Sequence, residues 1–429
     1  MIYSQPERIF LYFWLMKAKE PKKIAIIGGG AAGFFTAVNA ARVNSQLDIT
    51  IFEKSREVLS KVRVSGGGRC NVTHHCFDPE MLSKHYPRGE KVLRWSFEQF
   101  QAKHTVEWFE DRGVMLKSEE DGRMFPVTDD SQTIIDCLMN EARKYGVKIR
   151  TKTKVEAVVP EADGGFQLSI HKGNPEHFDR VVIATGGYNR EKAYGWLKKL
   201  GHSVHSPVPS LFTFNFREKL LSDLAGISVE NAHVKIEELP FEEAGPVLIT
   251  HWGLSGPAVL KISAWAARDL HDLEYRFHAL VNWVHPLNEQ ETRKELIKLR
   301  DKNARKTVSK QAHFPFPNRL WDRFLELSGI KTDKRWADLS NKDIHDLTQM
   351  LFRSRYNIQG KTTYKEEFVT CGGIPLNEVD PDTLESKIIP NLYFVGEVLD
   401  IDGVTGGFNF QAAWTNGWLA ANALVSHES

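Results

Sequence analysis

The sequence predicts an α/β protein in which a parallel sheet is assembled from the two ends of the chain, around a long insertion that is first β-rich and then helical. Three observations predict it. Near-continuous β-prone runs occur at Ile24-Ala-Ile-Ile27, Leu47-Asp-Ile-Thr-Ile-Phe52, 178–187 and 391–397, the pattern of strands covered on both faces of a parallel sheet. Glycines follow these runs closely, at 28–33, at Gly186 and Gly187, and at Gly396. Between Gly187 and Tyr364 the pattern changes: 212–216, 232–237, 247–250 and 275–284 read as strands, and 291–300, 317–327 and 341–352 as helices.

The first run leads directly into Gly28-Gly-Gly30-Ala-Ala-Gly33. In a strand–turn–helix unit the first glycine permits the tight turn, the second lets a pyrophosphate approach the backbone, and the third lets the helix pack closely on the strand. Ala31 to Asn44 is helical by composition, so its free N–H groups and positive dipole end face that same phosphate. The second strand ends in Glu53-Lys54, and Glu53 stands twenty residues after Gly33, where an acid accepts hydrogen bonds from a ribose. Strand, glycines, helix, strand and acid in register specify a Rossmann-type dinucleotide site.

A second cluster, Lys61-Val-Arg-Val-Ser-Gly-Gly-Gly-Arg-Cys-Asn-Val-Thr73, follows. Gly66, Gly67 and Gly68 carry no side chain to pack, cost conformational entropy, and serve a close backbone approach. With Lys61, Ser65, Arg69, Cys70 and Asn71 around them, they read as a loop along the middle of an extended dinucleotide. No metal is expected: Cys70, His74, His75 and Cys76 match no zinc spacing, and the adjacent His74 and His75 do not readily face one ion.

The later runs complete the site. Thr185-Gly186-Gly187 turns back over the cofactor edge, and the 391–397 strand ends in Gly396-Glu397. Asp402-Gly-Val-Thr-Gly-Gly-Phe-Asn-Phe-Gln411 then opens a helix running to about Ala423. Gly406 and Gly407 leave bare N–H groups at its start, beside Phe408, Asn409 and Phe410. A reduced flavin carries negative charge near N1 and the C2 oxygen, which such a helix end stabilises. The expected cofactor is therefore FAD, with Ala32 and Val155 completing the candidate contacts.

Five segments carry a resemblance to a known family: 28–33, 65–73, Thr250-His-Trp-Gly-Leu-Ser-Gly-Pro-Ala258, Leu384-Glu-Ser-Lys387 and 396–411. Together they resemble the bacterial aminoacetone oxidase family of FAD-binding proteins, over about residues 22 to 426. That family includes proteins described as aminoacetone oxidases, bile-acid reductases and a ribosomal RNA dihydrouridine synthase. The resemblance implies an FAD domain in two segments, interrupted by a β-rich and a helical insertion. The chain departs from the pattern at 188–195, where the family has a longer glycine-rich stretch. The implied organisation is an N-terminal extension (1–21), a first FAD segment (22–189), an inserted substrate domain (190–362, β-rich over 205–285 and helical over 286–360) and a second FAD segment (363–426).

Composition excludes other classes. The 429 residues carry 56 Lys+Arg against 55 Asp+Glu, with 41% hydrophobic residues, which is neither disordered nor globally nucleic-acid-binding. The longest apolar run, Ile9 to Met16, is far short of the roughly 20 residues that span a bilayer, so no membrane is expected. It lacks a cleavage site and leads into Lys17-Ala-Lys-Glu, which suggests translation from Met16 rather than export. Four cysteines form no disulfide framework and fit a cytoplasmic protein.

Two residues are candidates for proton transfer: His251, on a loop entering a helix, and Cys371, before two glycines of the second FAD segment. Arg123 follows a turn and offers a site for an anion. No second strand–G-x-G-x-x-G occurs in the insertion, so NAD(P)H would bind only transiently, over the flavin. The run from Arg293 to Lys310 has the cations to meet RNA phosphates. Three functions compete: an NAD(P)H-using reductase of an activated C=C bond, most sharply uridine in ribosomal RNA; a flavin amine oxidase with an aminoacetone-like small-molecule substrate and oxygen as acceptor; and a non-catalytic flavin-bound redox sensor.

Overall fold

The structure, a computed structural model, describes residues 21–162, 164–216, 220–309, 314–363 and 369–426. The apolar run at 9–16 lies outside the described residues, and with it the expectation about the translation start.

A five-stranded sheet forms the centre. Its strands are β1 (Lys23–Ile27), β2 (Asp48–Phe52), β3 (Lys148–Arg150), β4 (Arg180–Ile183) and β5 (Leu392–Phe394), in the order β5-β4-β1-β2-β3, with every pairing parallel. β5 arrives from the far end of the chain and takes the edge beside β4, Val182 opposite Tyr393. Helices α1 (Ala31–Val43) and α2 (Phe408–Ser426) cross on one face of the sheet. Gly417 makes this close crossing possible, because a Cβ there would sit 3.0 Å from the Ala32 carbonyl. Phe35 closes the seam with its ring 5.3 Å from Trp414 and 4.7 Å from Trp108. Burying rings of this size supplies a large share of local stability, about 1.5–3 kcal/mol for each side chain fully withdrawn from water.

The stretch between β4 and β5 builds a second hydrophobic core from Phe212 to Ile358. A seven-stranded sheet carries it, and the neighbouring pairs described within that sheet are antiparallel. Helices Glu289–Lys302, Asn318–Leu327 and Asn341–Phe352 pack on it. Two of these helices start at reciprocal side-chain caps, Asn288 with Glu291 and Ser340 with Asp343, which satisfy amides that would otherwise be orphaned.

One expected boundary needs correction. The stretch read as helical to residue 360 ends in the strand Ser354–Gln359, which pairs with Arg276–Asn282. Its alternating burial, with Ser354, Tyr356 and Ile358 inward, is the period-two pattern of a half-covered strand. Among the described residues, no helix is long and apolar enough to cross a membrane, and all four cysteines are unpaired.

Candidate FAD site

The turn after β1 has the three properties its glycines predict. Gly28 has φ +122°, and a Cβ there would overlap the Ala184 carbonyl; one at Gly33 would overlap the Gly28 carbonyl. Gly30 differs: a Cβ there meets nothing within 4 Å, and as N-cap of α1 it brings no side-chain cap. The helix therefore opens onto free space with its first-turn N–H groups unpaired within the helix. Glu53, just past β2, accepts from Gly29 N at 2.9 Å, from Ser55 N at 2.8 Å and from Ser55 Oγ at 2.5 Å, which fixes the carboxylate beside the turn. Lys54 lies over the Tyr188 ring, 5.8 Å from its centre.

The segment read as an open loop, 61–73, begins as the helix Ser60–Gly68, which loses helical geometry at Ser65, Gly66 and Gly67. Gly67 (φ +70°) and Gly68 (φ +88°) face space with nothing within 4 Å of a Cβ, whereas Gly66 lies against Phe125. Ser65 closes this turn, its carbonyl accepting from Cys70 N at 3.0 Å and its hydroxyl donating to Val62 O at 3.0 Å. Cys70 is fully buried, and burial pushes its thiol up to about 12.

Gly187 lies against Thr370 and Glu397. Glu397 accepts from Lys61 Nζ at 2.6 Å and Thr370 N at 2.9 Å. Gly396, φ +74°, lies against Ala32 of α1. Thr185 sits beside Gly28, where β1 and β4 meet the turn. The structure thus gathers the 28–33, 185–187 and 396–397 segments at the carboxyl ends of β1, β4 and β5, with Lys61, at the start of the second glycine cluster, tied to Glu397. Val155 opens a three-stranded sheet opposite Ile170, two residues after Thr153, whose N–H donates to the Glu53 carbonyl at 2.8 Å.

These residues fit an extended dinucleotide. Gly30, Gly67 and Gly68 line space that a side chain would fill, and the Thr370 hydroxyl oxygen is buried with no hydrogen-bond partner. A buried hydroxyl left unpaired costs about 1–3 kcal/mol, which a polar ligand at this position would remove.

Several expected contacts are already used by the protein. Asp402 has no exposed surface and receives Arg88 through two nitrogens, Nε at 2.5 Å and Nη2 more closely. Burial pushes its carboxyl up and Arg88 opposes the rise. Asn409 exchanges two 2.9 Å hydrogen bonds with Gly403. The Phe408 ring is buried beside His85 and His74, at 4.2 and 4.6 Å, and Phe410 stacks on Trp414. The Gly407 N–H is also engaged: with the Asn71 amide oriented to satisfy both neighbours, its oxygen accepts from Gly407 N at 3.0 Å. The free N–H groups of this helix are therefore those of α2's own first turn, one residue later than the glycines suggest. Arg69 sits over Phe125 and pairs with Glu119 at 2.6 Å, and Arg123 pairs with Asp121 and Glu119, so both guanidiniums are neutralised by carboxylates.

The two proton-transfer candidates do not share an element. His251 is exposed in a tight turn between strands Glu242–Ile249 and Gly253–Ser255, two strands joined edge to edge, and the helix begins only at Pro257. Cys371 has no exposed surface; it packs with Val208 and Ala267, and burial pushes its thiol up to about 11. Burial thus favours the neutral thiol. The sequence reading missed Arg88, His85 and Gln411, which accepts from Thr73 and Thr105 at 2.6 and 2.9 Å. Arg88 lies 314 residues from its acid, a separation at which no local pattern signals a contact.

Fold and site define a Rossmann-type FAD-dependent oxidoreductase. The family described as HI0933-like protein Rossmann domain matches residues 22–423. The chain belongs to that family, in agreement with the resemblance carried by the five motifs. It is 29% identical over 413 residues to a 3-dehydro-bile acid delta(4,6)-reductase of Clostridium scindens, covering 94% of this chain and 99% of that protein. It is 30% identical over 419 residues to the ribosomal RNA dihydrouridine synthase of Escherichia coli, covering 94% and 98%. A solved structure of similar fold is the 3-ketosteroid-delta4-(5alpha)-dehydrogenase of Rhodococcus jostii, at TM-score 0.51 and 12% identity over 96% of this chain and 98% of that one.

Proposed function

We propose that this oxidoreductase reduces a C=C bond conjugated to a carbonyl, with uridine in ribosomal RNA as substrate and NAD(P)H as electron donor. Two relatives that span nearly the whole chain support the reaction class, one by its name as a reductase and the other as a dihydrouridine synthase. When bound, FAD supplies the two-electron chemistry. The chain's own residues do the rest. The turn at Gly30 and the N-terminus of α1 would hold the pyrophosphate, Glu53 would orient the ribose, and the 66–68 backbone would lie along the cofactor.

The observation that carries the RNA substrate is a cationic surface on the insertion. Helix Glu289–Lys302 and the turn after it expose Arg293, Lys294, Lys298, Lys302, Arg305 and Lys306. Lys298 pairs with Glu295 at 2.6 Å; the other five have no ion-pair partner among the described residues. Lys310 lies outside the described residues. Exposed cations attract phosphates, with an affinity that falls as salt rises, and these outnumber the exposed acids Glu289, Glu291 and Asp301 of the same helix. A target uridine would also have to leave its stack, at a cost of a few kcal/mol, which favours unpaired RNA.

Anaerobic rapid mixing tests the reading. NADPH should bleach the bound flavin, and unmodified ribosomal RNA should then restore its colour and gain dihydrouridine. Bleaching by aminoacetone but not by NADPH would overturn the proposal in favour of an amine oxidase.

A further inference from the structure

Gly406 (φ +133°) and Gly407 (φ +94°) both lie in the region glycine favours, so the peptide joining them has unusual freedom to rotate. The structure holds that peptide at both poles. The Gly406 carbonyl faces His74 Nδ1 at 3.0 Å; since a carbonyl only accepts, Nδ1 carries the proton. The Gly407 N–H is held by the Asn71 amide oxygen at 3.0 Å, and the amide nitrogen donates in turn to Thr73 O at 3.0 Å. A Cβ on Gly407 would lie 2.5 Å from that same Thr73 carbonyl. The imidazole is itself confined, because its ring stacks on Phe408 at 4.6 Å and 28°. Its other edge leaves only 2.5 Å between Nε2 and a Cβ on Gly122.

We propose that His74 is a positioning residue of the FAD site: by holding the Gly406 carbonyl while Asn71 holds the Gly407 N–H, it fixes the direction in which the first-turn N–H groups of α2 point, and so the site's preference for reduced over oxidised flavin. The inference rests on the reading that α2 opens toward the flavin. The groups facing His74 agree with a neutral donor. Burial lowers its pKa, helped by His75 and Lys261 and opposed by the Gly406 carbonyl and Asp121, and the His85 ring lies 5.9 Å away. At neutral pH the imidazole therefore acts through its one fixed N–H rather than through charge.

The test compares the full-length wild type with His74→Asn, whose amide can donate from nearly the Nδ1 position, and His74→Phe, which keeps the ring stack but has no donor. FAD content, unfolding midpoint and flavin midpoint potential, by equilibration with a redox dye, are measured for each. His74→Phe should retain FAD yet favour reduced flavin about tenfold less, a potential about 30 mV more negative for a two-electron couple. His74→Asn should match the wild type. Equal potentials in wild type and His74→Phe would overturn the proposal, as would His74→Asn shifting as far as His74→Phe. Should His74→Phe fail to fold, His74→Gln, with its donor displaced toward Nε2, takes its place, and a wild-type potential there is equally fatal. Wild-type protein that holds no FAD would instead sink the reading on which the inference rests.

Discussion

The two glycine turns that open onto the cofactor site are built in opposite ways. The turn from Gly28 to Gly33 is mostly local: Gly33 packs on Gly28, Glu53 accepts from Gly29 N, and Gly30 is left bare toward open space, while Gly28 also meets the distant strand end at Ala184. The turn at Gly406 and Gly407 is held from a distance. His74 grips it across 332 residues, Tyr86 donates to the Phe408 carbonyl across 322, and Arg88 fixes Asp402 across 314. Backbone sterics set the first turn, and tertiary contacts set the second. Damage to the first should therefore be abrupt, and damage to the second graded.

The largest effect is expected where sterics decide. Gly28→Val puts a side chain into the Ala184 carbonyl at a positive φ and should destabilise the fold by about 4 kcal/mol or more, read by urea denaturation; a loss below about 1 kcal/mol would mean the turn can relax. Arg88→Met tests the distant anchors. It leaves the Asp402 carboxyl without its cation and with no exposed surface, which should cost about 3–5 kcal/mol, and Arg88→Met with Asp402→Leu together should recover part of it. Gly30→Val separates binding from folding. Its Cβ enters empty space, so the urea midpoint should hardly move while FAD binding weakens about a hundredfold, close to 2.7 kcal/mol, measured by flavin fluorescence. Full flavin occupancy would place the pyrophosphate elsewhere.

The smallest expected effect depends on pH. His85 lies flat against Phe408, and burial, with His74 and Lys261 adding to it, lowers its pKa from 6.5 to about 4. The unfolded chain then binds a proton that the folded one refuses. The contribution is complete above pH 6.5, falls as pH drops toward about 4, and levels off below that. Because the ring is partly open to solvent, the loss should be about 1–2 kcal/mol. His85→Asn should flatten that part of the stability–pH curve; an unchanged slope would assign it to another group.

The same contrast separates the features legible in the sequence from those that are not. Gly28, Gly30, Gly33 and Glu53 act within one strand–helix–strand unit, so their spacing carries their roles. The strands β1, β2, β4 and β5 were equally visible as continuous apolar runs, whereas their order and the edge strand β3 emerge only from the pairing. Asp402 and Asn409 stand in a conspicuous glycine-rich motif and so invited assignment to the cofactor, yet their side chains are bound by Arg88 and Gly403. Residue type and spacing marked the segment, while the direction of each side chain depended on its partner, Arg88 at 314 positions for Asp402 and the bend at Gly403, six positions back, for Asn409. The strand Ser354–Gln359 was missed for a related reason: it directly follows an amphipathic helix, and only pairing with Arg276–Asn282 defines it.

An extended dinucleotide is expected to lie from Glu53, past Gly30 and the 66–68 backbone, to the first turn of α2. Chromatography of the cofactor released from purified, unreconstituted protein tests this most directly. Yellow protein releasing FAD in near-equimolar amount is the predicted result, since a ribose acceptor and a pyrophosphate turn have no role for a mononucleotide. Release of FMN alone, or colourless protein that takes up no FAD on titration, would contradict it.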